Sequence, residues 1–197
     1  MNKPTDESMN EQRRQLLGAG ALASVAALVP SASAQVAASA AAPAVRGSGK
    51  PGDFNFLAGE WKIANRRPRA NSKEWDEFPG EATCWSILGG VGSIEELRIP
   101  IRNFSGMGLR LLDVEAGVWN DFWVNARSGV LATPGQTGNF ENGAGVFTAD
   151  DVDDGKPIKV RGVWDRITPK SCRWRQGVSR DNGQTWTEDW FMDWTRV

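Results

Sequence analysis

Three polar side chains sit between tryptophans, and they are where this chain could do chemistry. Asp121 lies in Trp119-Asn120-Asp121-Phe122-Trp123, Gln176 follows Trp174-Arg175, and Glu188 precedes Asp189-Trp190. A carboxylate held in an apolar pocket has its pKa raised toward the working range, so Glu188 and Asp121 are the candidate acid or base of a cofactor-independent isomerase, lyase or hydratase. The same groups could instead orient a ligand walled by indoles. Other routes are closed by composition. The chain has ten tryptophans but no histidine and no tyrosine. Without histidine there is no Ser-His-Asp triad, no imidazole base and no His-ligated haem. Without tyrosine there is no phenolic acid or tyrosine nucleophile.

The elements that must position these residues are short. From residue 53 onward, runs rich in Val, Ile, Trp, Phe and Thr alternate with turn signals, and helical periodicity is absent. This predicts strands over 60–67, 80–88, 93–99, 107–113, 118–125, 136–141, 144–149, 158–165, 171–179 and 185–196. The expected fold is all-β: an antiparallel up-and-down meander closing into a barrel of about 8–10 strands. Asn142-Gly143 and Asp154-Gly155 are hairpin dipeptides. Ser179-Arg180-Asp181-Asn182-Gly183-Gln184-Thr185-Trp186 matches the Asp-box turn, in which Asp181 ties off turn amides and Gly183 takes positive φ. One copy is a turn device. A propeller needs repeats of it, and sialidase chemistry needs the missing tyrosine.

Alternation sorts the faces. Trp186, Glu188, Trp190, Met192, Trp194 and Arg196 share one side. So do Trp119, Asp121, Trp123 and Asn125; Cys172, Trp174, Gln176 and Val178; and Ile158, Val160, Gly162 and Trp164. With these faces inward, Trp119, Trp123, Trp164, Trp174 and Trp190 would wall a ligand, while Asp121, Gln176 and Glu188 orient it. Each indole buries on the order of 200 Å². The fold itself needs much of that burial, so core packing is the default for every tryptophan, and Trp61 and Trp194 are assigned to structure.

The domain opens with Phe54-Asn55-Phe56-Leu57-Ala58-Gly59-Glu60-Trp61 and closes with Thr195-Arg196. With the central Leu109-Arg110-Leu111-Leu112-Asp113 run, this resembles the lipocalin-like (calycin) barrels, and in particular a bacterial lipocalin-like domain family of unknown function, over 54–197. The resemblance implies that Trp61, after Gly59, closes one end of the barrel and that Arg196 packs across it. Relatives of the barrel include lipid carriers and haem-binding nitrobindin-like proteins. The proximal histidine of the latter has no counterpart here, so haem is rejected and no cofactor is expected.

Residues 1–34 read as an export signal. Arg13-Arg14 precede a weakly apolar run from Leu16 to Val29, and Ala32-Ser33-Ala34 fits a cleavage site before Gln35. The paired arginines resemble a twin-arginine signal. The run spans about 14 residues, short of the ~20 that cross a bilayer, so no stable membrane insertion is expected after cleavage, and the expected location is the periplasm or outside the cell. Residues 35–52, rich in Ala, Pro, Gly and Ser, read as a disordered linker. Gly47-Ser48-Gly49-Lys50 is no phosphate loop, because Pro51 stands where Ser or Thr is required. The barrel domain is then 53–197.

Three basic and three acidic residues precede Gln35, leaving 20 against 21. That balance gives no electrostatic case for nucleic acid. Asp150-Asp151-Val152-Asp153-Asp154 lacks calcium-loop spacing and reads as a solvated turn, so no metal is expected. Cys84 and Cys172 could form a disulfide in an oxidising compartment or remain two buried thiols. The leading expectation is a binder of a small hydrophobic or aromatic molecule, monomeric or homodimeric. The carboxylate enzyme is the alternative, and a structural or protein-interaction module of the envelope is the third.

Overall fold

The structure is a computed structural model that describes residues 47–69, 72 and 74–197. The expected export signal, residues 1–34, and the first part of the expected linker lie outside the described residues. Ten strands follow in chain order: β1 (Gly59–Pro68), β2 (Trp75–Ile87), β3 (Gly92–Ile99), β4 (Phe104–Asp113), β5 (Val118–Asn125), β6 (Gln136–Glu141), β7 (Ala144–Asp153), β8 (Lys156–Asp165), β9 (Ser171–Ser179) and β10 (Thr187–Arg196). Each strand pairs antiparallel with its chain neighbours, and β1 also pairs with β10, so the sheet closes. Closure removes the unpaired edges that an open sheet would expose. The all-β meander is therefore as expected, at the upper end of the strand count.

Two strands are longer than their sequence signals. β2 starts at Trp75 and runs through Pro79 and Gly80, which read locally as turn residues. Residues 75–80 pair with β1 alone, while β3 joins only from Glu81. Pro79 thus sits on a half-strand with one open side, where a proline is tolerated. β7 continues through the acidic run to Asp153, and the turn falls at Asp154-Gly155 (φ 49° and 71°). Lys159 Nζ lies 2.6 Å from Asp150 Oδ1 and answers part of that charge from β8.

The segment before β1 closes one end of the barrel. A single 3-10 turn at Asn55–Leu57 brings Phe54 and Leu57 inside. Phe54 meets Trp119 and Phe140 edge-on, with centroids 4.9 Å away in both cases. Trp61 Nε1 donates to Leu57 O (2.6 Å). The Arg196 guanidinium stands 4.2 Å above the Trp61 ring and donates to Phe56 O and Ala58 O, both at 2.6 Å, and to Pro169 O at 2.9 Å. Gly59 has φ 126°, and a Cβ there would lie 2.5 Å from Arg196 Nη1, so the Gly-x-Trp spacing reflects a steric need.

The packed unit begins earlier than residue 53. The amides of Gly47 and Gly49 donate to Ala116 O (2.8 Å) and Gly117 O (2.9 Å) at the β4–β5 turn, and Gly52 N donates to Gly90 O (2.9 Å). A Cβ on Gly47 would come within 2.3 Å of Gly117 O. The Gly-Ser-Gly stretch expected to be linker is a strap whose glycines allow backbone to lie on backbone.

Cys84 and Cys172 are both buried free thiols. Strands β1 and β10 stand between β2 and β9 in the wall. Three inter-strand steps of ~4.8 Å separate the two, well beyond the roughly 7 Å between Cα atoms that a disulfide can span. Burial pushes both thiols up, that of Cys172 to about 12, with Glu95 adding to the effect. The Asp-box turn forms as its residues imply. Asp181 accepts from Thr185 N (2.8 Å), Thr185 Oγ1 (2.5 Å) and Ser179 Oγ (2.7 Å), Gly183 takes φ 91°, and Trp186 Nε1 donates to Gly183 O.

Candidate functional site

Alternation along β3, β4 and β5 points Glu95, Arg110 and Asp121 into the barrel. In the register, Glu95 faces Gly108 and Arg110 faces Asp121. Gly108 leaves the space between them open: a Cβ there would lie 3.0 Å from Arg110 Nη2 and 3.3 Å from Glu95 Oε2. Arg110 Nη2 can therefore reach diagonally across the strands to donate to Glu95 Oε2. Asp121 Oδ1 lies 3.6 Å from Arg110 Nε. The side chains of Arg110 and Glu95 are 4% and 5% exposed, against 17% for Asp121. Burial works to lower the pKa of Arg110, but Asp121 and Glu95 together outweigh it and hold the guanidinium charged well above its ordinary value.

This cluster borders a partly open cavity of about 60 Å³. Four indoles, Trp123, Trp164, Trp174 and Trp194, form its walls with Met192, and Gln136 and Gln176 supply amides. The β5–β6 ladder reaches only from Trp119–Gly138 to Asp121–Gln136. The cavity thus sits where that part of the wall begins to separate. Inward glycines give the indoles room. A Cβ on Gly106 would lie 2.1 Å from Trp123 Cζ2, and one on Gly162 would lie 3.0 Å from Trp174 Nε1. An engineered apolar cavity of ~150 Å³ admits benzene. This one is well under half that size and takes a group of a few heavy atoms.

Of the residues expected at a site, Asp121, Trp123, Trp164, Trp174 and Gln176 meet at the cavity. Trp119 and Trp190 do not line it. Trp119 packs beneath Phe54 and donates from Nε1 to Asp53 Oδ2 (3.1 Å), which makes it part of the plug. Trp190 donates to Asn65 Oδ1 (3.0 Å) and carries the Arg67 guanidinium 4.5 Å from its ring. Trp194, assigned to structure, both packs against Trp61 and Trp164 and lines the cavity.

Glu188 is the main correction. A bulge in β10 breaks the register, so that Glu188 faces Gly177 and Trp190 faces Gln176. One extra residue in a strand reverses the alternation beyond it. Glu188 therefore lies on the outer wall, paired with Arg175 and with Arg161 (2.5 Å). Asp189, which simple alternation puts outside, is partly buried instead and accepts from Gln176 Nε2 at 3.1 Å. Burial raises its pKa, while the positive charge of Arg67 opposes that rise. Glu95, Gln136 and Met192 carry no local sequence signal for a site. Arg110, which with Arg98 is among the arginines the sequence offers as partners for the mid-strand carboxylates, is a single cation on the inward face of an apolar strand.

The fold and site together define a closed ten-stranded up-and-down β-barrel with a small, aromatic-walled, charged interior cavity. No protein-family description matches the chain, and no curated protein matches it. Among solved structures it is similar to Rv2717c from M. tuberculosis, at 11% identity and a TM-score of 0.46, over 73% of this chain and 94% of that one. It is also similar to a DUF3598-family protein of unknown function from Nostoc punctiforme, at 12% identity and a TM-score of 0.43, over 76% of this chain. The match spans about half of the Nostoc protein, 51%. Neither likeness bears on ligand or activity.

Proposed function

We propose that the protein is an exported, lipocalin-like barrel that binds a small ligand, or the compact head of a longer one, at the Arg110 cavity. The observation that carries this reading is a partly open space of about 60 Å³, lined by indoles and charged groups, inside a barrel with a large buried aromatic core. Charged groups line that space. A fold built only for stability has little use for Arg110, Glu95 and Asp121 inside, because buried ion networks are often no better than apolar residues of equal volume. The size narrows the expected ligand. A fatty-acid chain or a large flat ring has no room without rearrangement of the tryptophans.

The test is native mass spectrometry of protein purified from the envelope of its own host, with the N-terminus sequenced in the same sample. A bound small molecule on a chain beginning at Gln35 supports both binding and export. An apo mass, together with no tryptophan fluorescence response to a broad small-molecule panel, rules out binding. A chain retaining Met1 in the cytoplasm rules out export.

A further inference from the structure

We infer that the ligand group recognised here is a small organic cation, an alkylammonium or methylated ammonium head, held between the indoles and Asp121. This inference rests on reading the barrel as a ligand binder and names the chemistry of that site.

The first observation is charge. The ionisable groups lining the cavity are Glu95, Arg110 and Asp121, with a formal sum of one negative charge. An anion entering would meet two carboxylates against one guanidinium, whereas a cation brings the cluster to neutrality. The second is which charges the cavity can use. Arg110 Nη2 is given to Glu95, and the guanidinium lies 5.2 Å from the ring centroids of both Phe54 and Trp164. Its Nε and Nη1, and the indole N–H groups of Trp164 and Trp194, make no hydrogen bond among the described residues, but they are buried atoms with almost no accessible surface. They offer little to a ligand acceptor. Of the three charged side chains that line the space, that of Asp121 is the most exposed. The third is the wall. Four indoles around one small space give the aromatic surroundings that favour ammonium groups, since the electron-rich ring attracts a cation that has shed its water. The cavity volume fits the head group, and an alkyl tail can leave through the open side.

The test titrates the mature chain with three ligands of matched size, n-butylammonium, 1-butanol and butyrate, by calorimetry and tryptophan fluorescence, and repeats the series on Asp121→Asn. Butylammonium is expected to bind at least tenfold more tightly than either of the others. Asp121→Asn is expected to cut that preference at least tenfold while leaving the melting curve cooperative. If 1-butanol or butyrate binds as tightly as the amine, the cation inference fails and the ligand-binding reading survives. If none of the three binds, the cation inference fails, and the broad panel above decides whether binding fails with it. Because the three-ligand comparison is made on the wild-type chain, it stands even where the variant does not fold.

Discussion

Removing Arg110 should cost far more than removing either of its acidic partners. Arg110 and Glu95 are almost fully buried, while Asp121 retains partial contact with solvent. In Arg110→Met, two carboxylates remain inside the barrel with no cation between them. Breaking a buried pair from one side costs about 3–5 kcal/mol, because a charge is left uncompensated. In Glu95→Gln the amide oxygen can still accept from Arg110, and Asp121 still balances the guanidinium. That change replaces a charge-assisted hydrogen bond by a neutral one, a loss of roughly 1 kcal/mol. For a domain of this size, 1 kcal/mol corresponds to about 2–4 °C in melting temperature. Arg110→Met should thus fall by roughly 10 °C and Glu95→Gln by only about 3 °C. Replacing Glu95, Arg110 and Asp121 together by apolar residues of similar volume should recover most of the loss. The measurements are urea unfolding near neutral pH and differential scanning calorimetry, whose heat readout does not depend on the neighbouring indoles. If Glu95→Gln proves as damaging as Arg110→Met, the three groups do not share charge in the way described.

Two further outcomes follow from the ends of the molecule. Arg196→Met removes three donations to backbone carbonyls and the contact over Trp61. It should cost about 2–4 kcal/mol in urea unfolding. Arg196→Lys should restore less than half, because one ammonium cannot reach three carbonyls as a planar guanidinium does. In the Asp-box turn, hydrogen bonds from the Thr185 side chain and backbone and from Ser179 hold the Asp181 carboxyl down at about 2. Its folded pKa lies below the unfolded value near 3.9, so its contribution is present above about pH 4 and is lost as the pH falls toward 2. Acid titration of stability should show wild type and Asp181→Asn separated at neutral pH and converging near pH 2, and parallel curves throughout would contradict the assignment.

All ten strands were legible because a strand that is half buried must alternate, and most turns carry glycine, asparagine or aspartate where positive φ is needed, with Leu88 and Arg166 as exceptions. The Gly59-Glu60-Trp61 start and the late Arg196 were legible for a similar reason: steric need at Gly59 and planar recognition by Arg196 restrict which residues can stand there. Period 2 alone grouped Asp121 with Trp123 on β5 and Trp174 with Gln176 on β9, and set Trp164 on one face of β8, while the closed barrel decided that these faces point inward.

The same rule misplaced Glu188. Alternation belongs to one strand, but a bulge belongs to a pair, and nothing within Trp186–Trp190 signals that β9 will skip a residue opposite it. The strap at Gly47–Gly49 was hidden likewise, since glycine serves equally for a loose chain and for close backbone contact. Glu95 and Arg110 come from different strands and meet on a diagonal kept open by Gly108. Local pattern and residue type were enough for the antiparallel barrel and for the chemistry that the lack of histidine and tyrosine excludes, while the family resemblance implied the closing roles of Trp61 and Arg196. Only the packed barrel decided which carboxylates face inward and how little space the four cavity indoles leave, because both depend on register and packing between strands far apart in the chain.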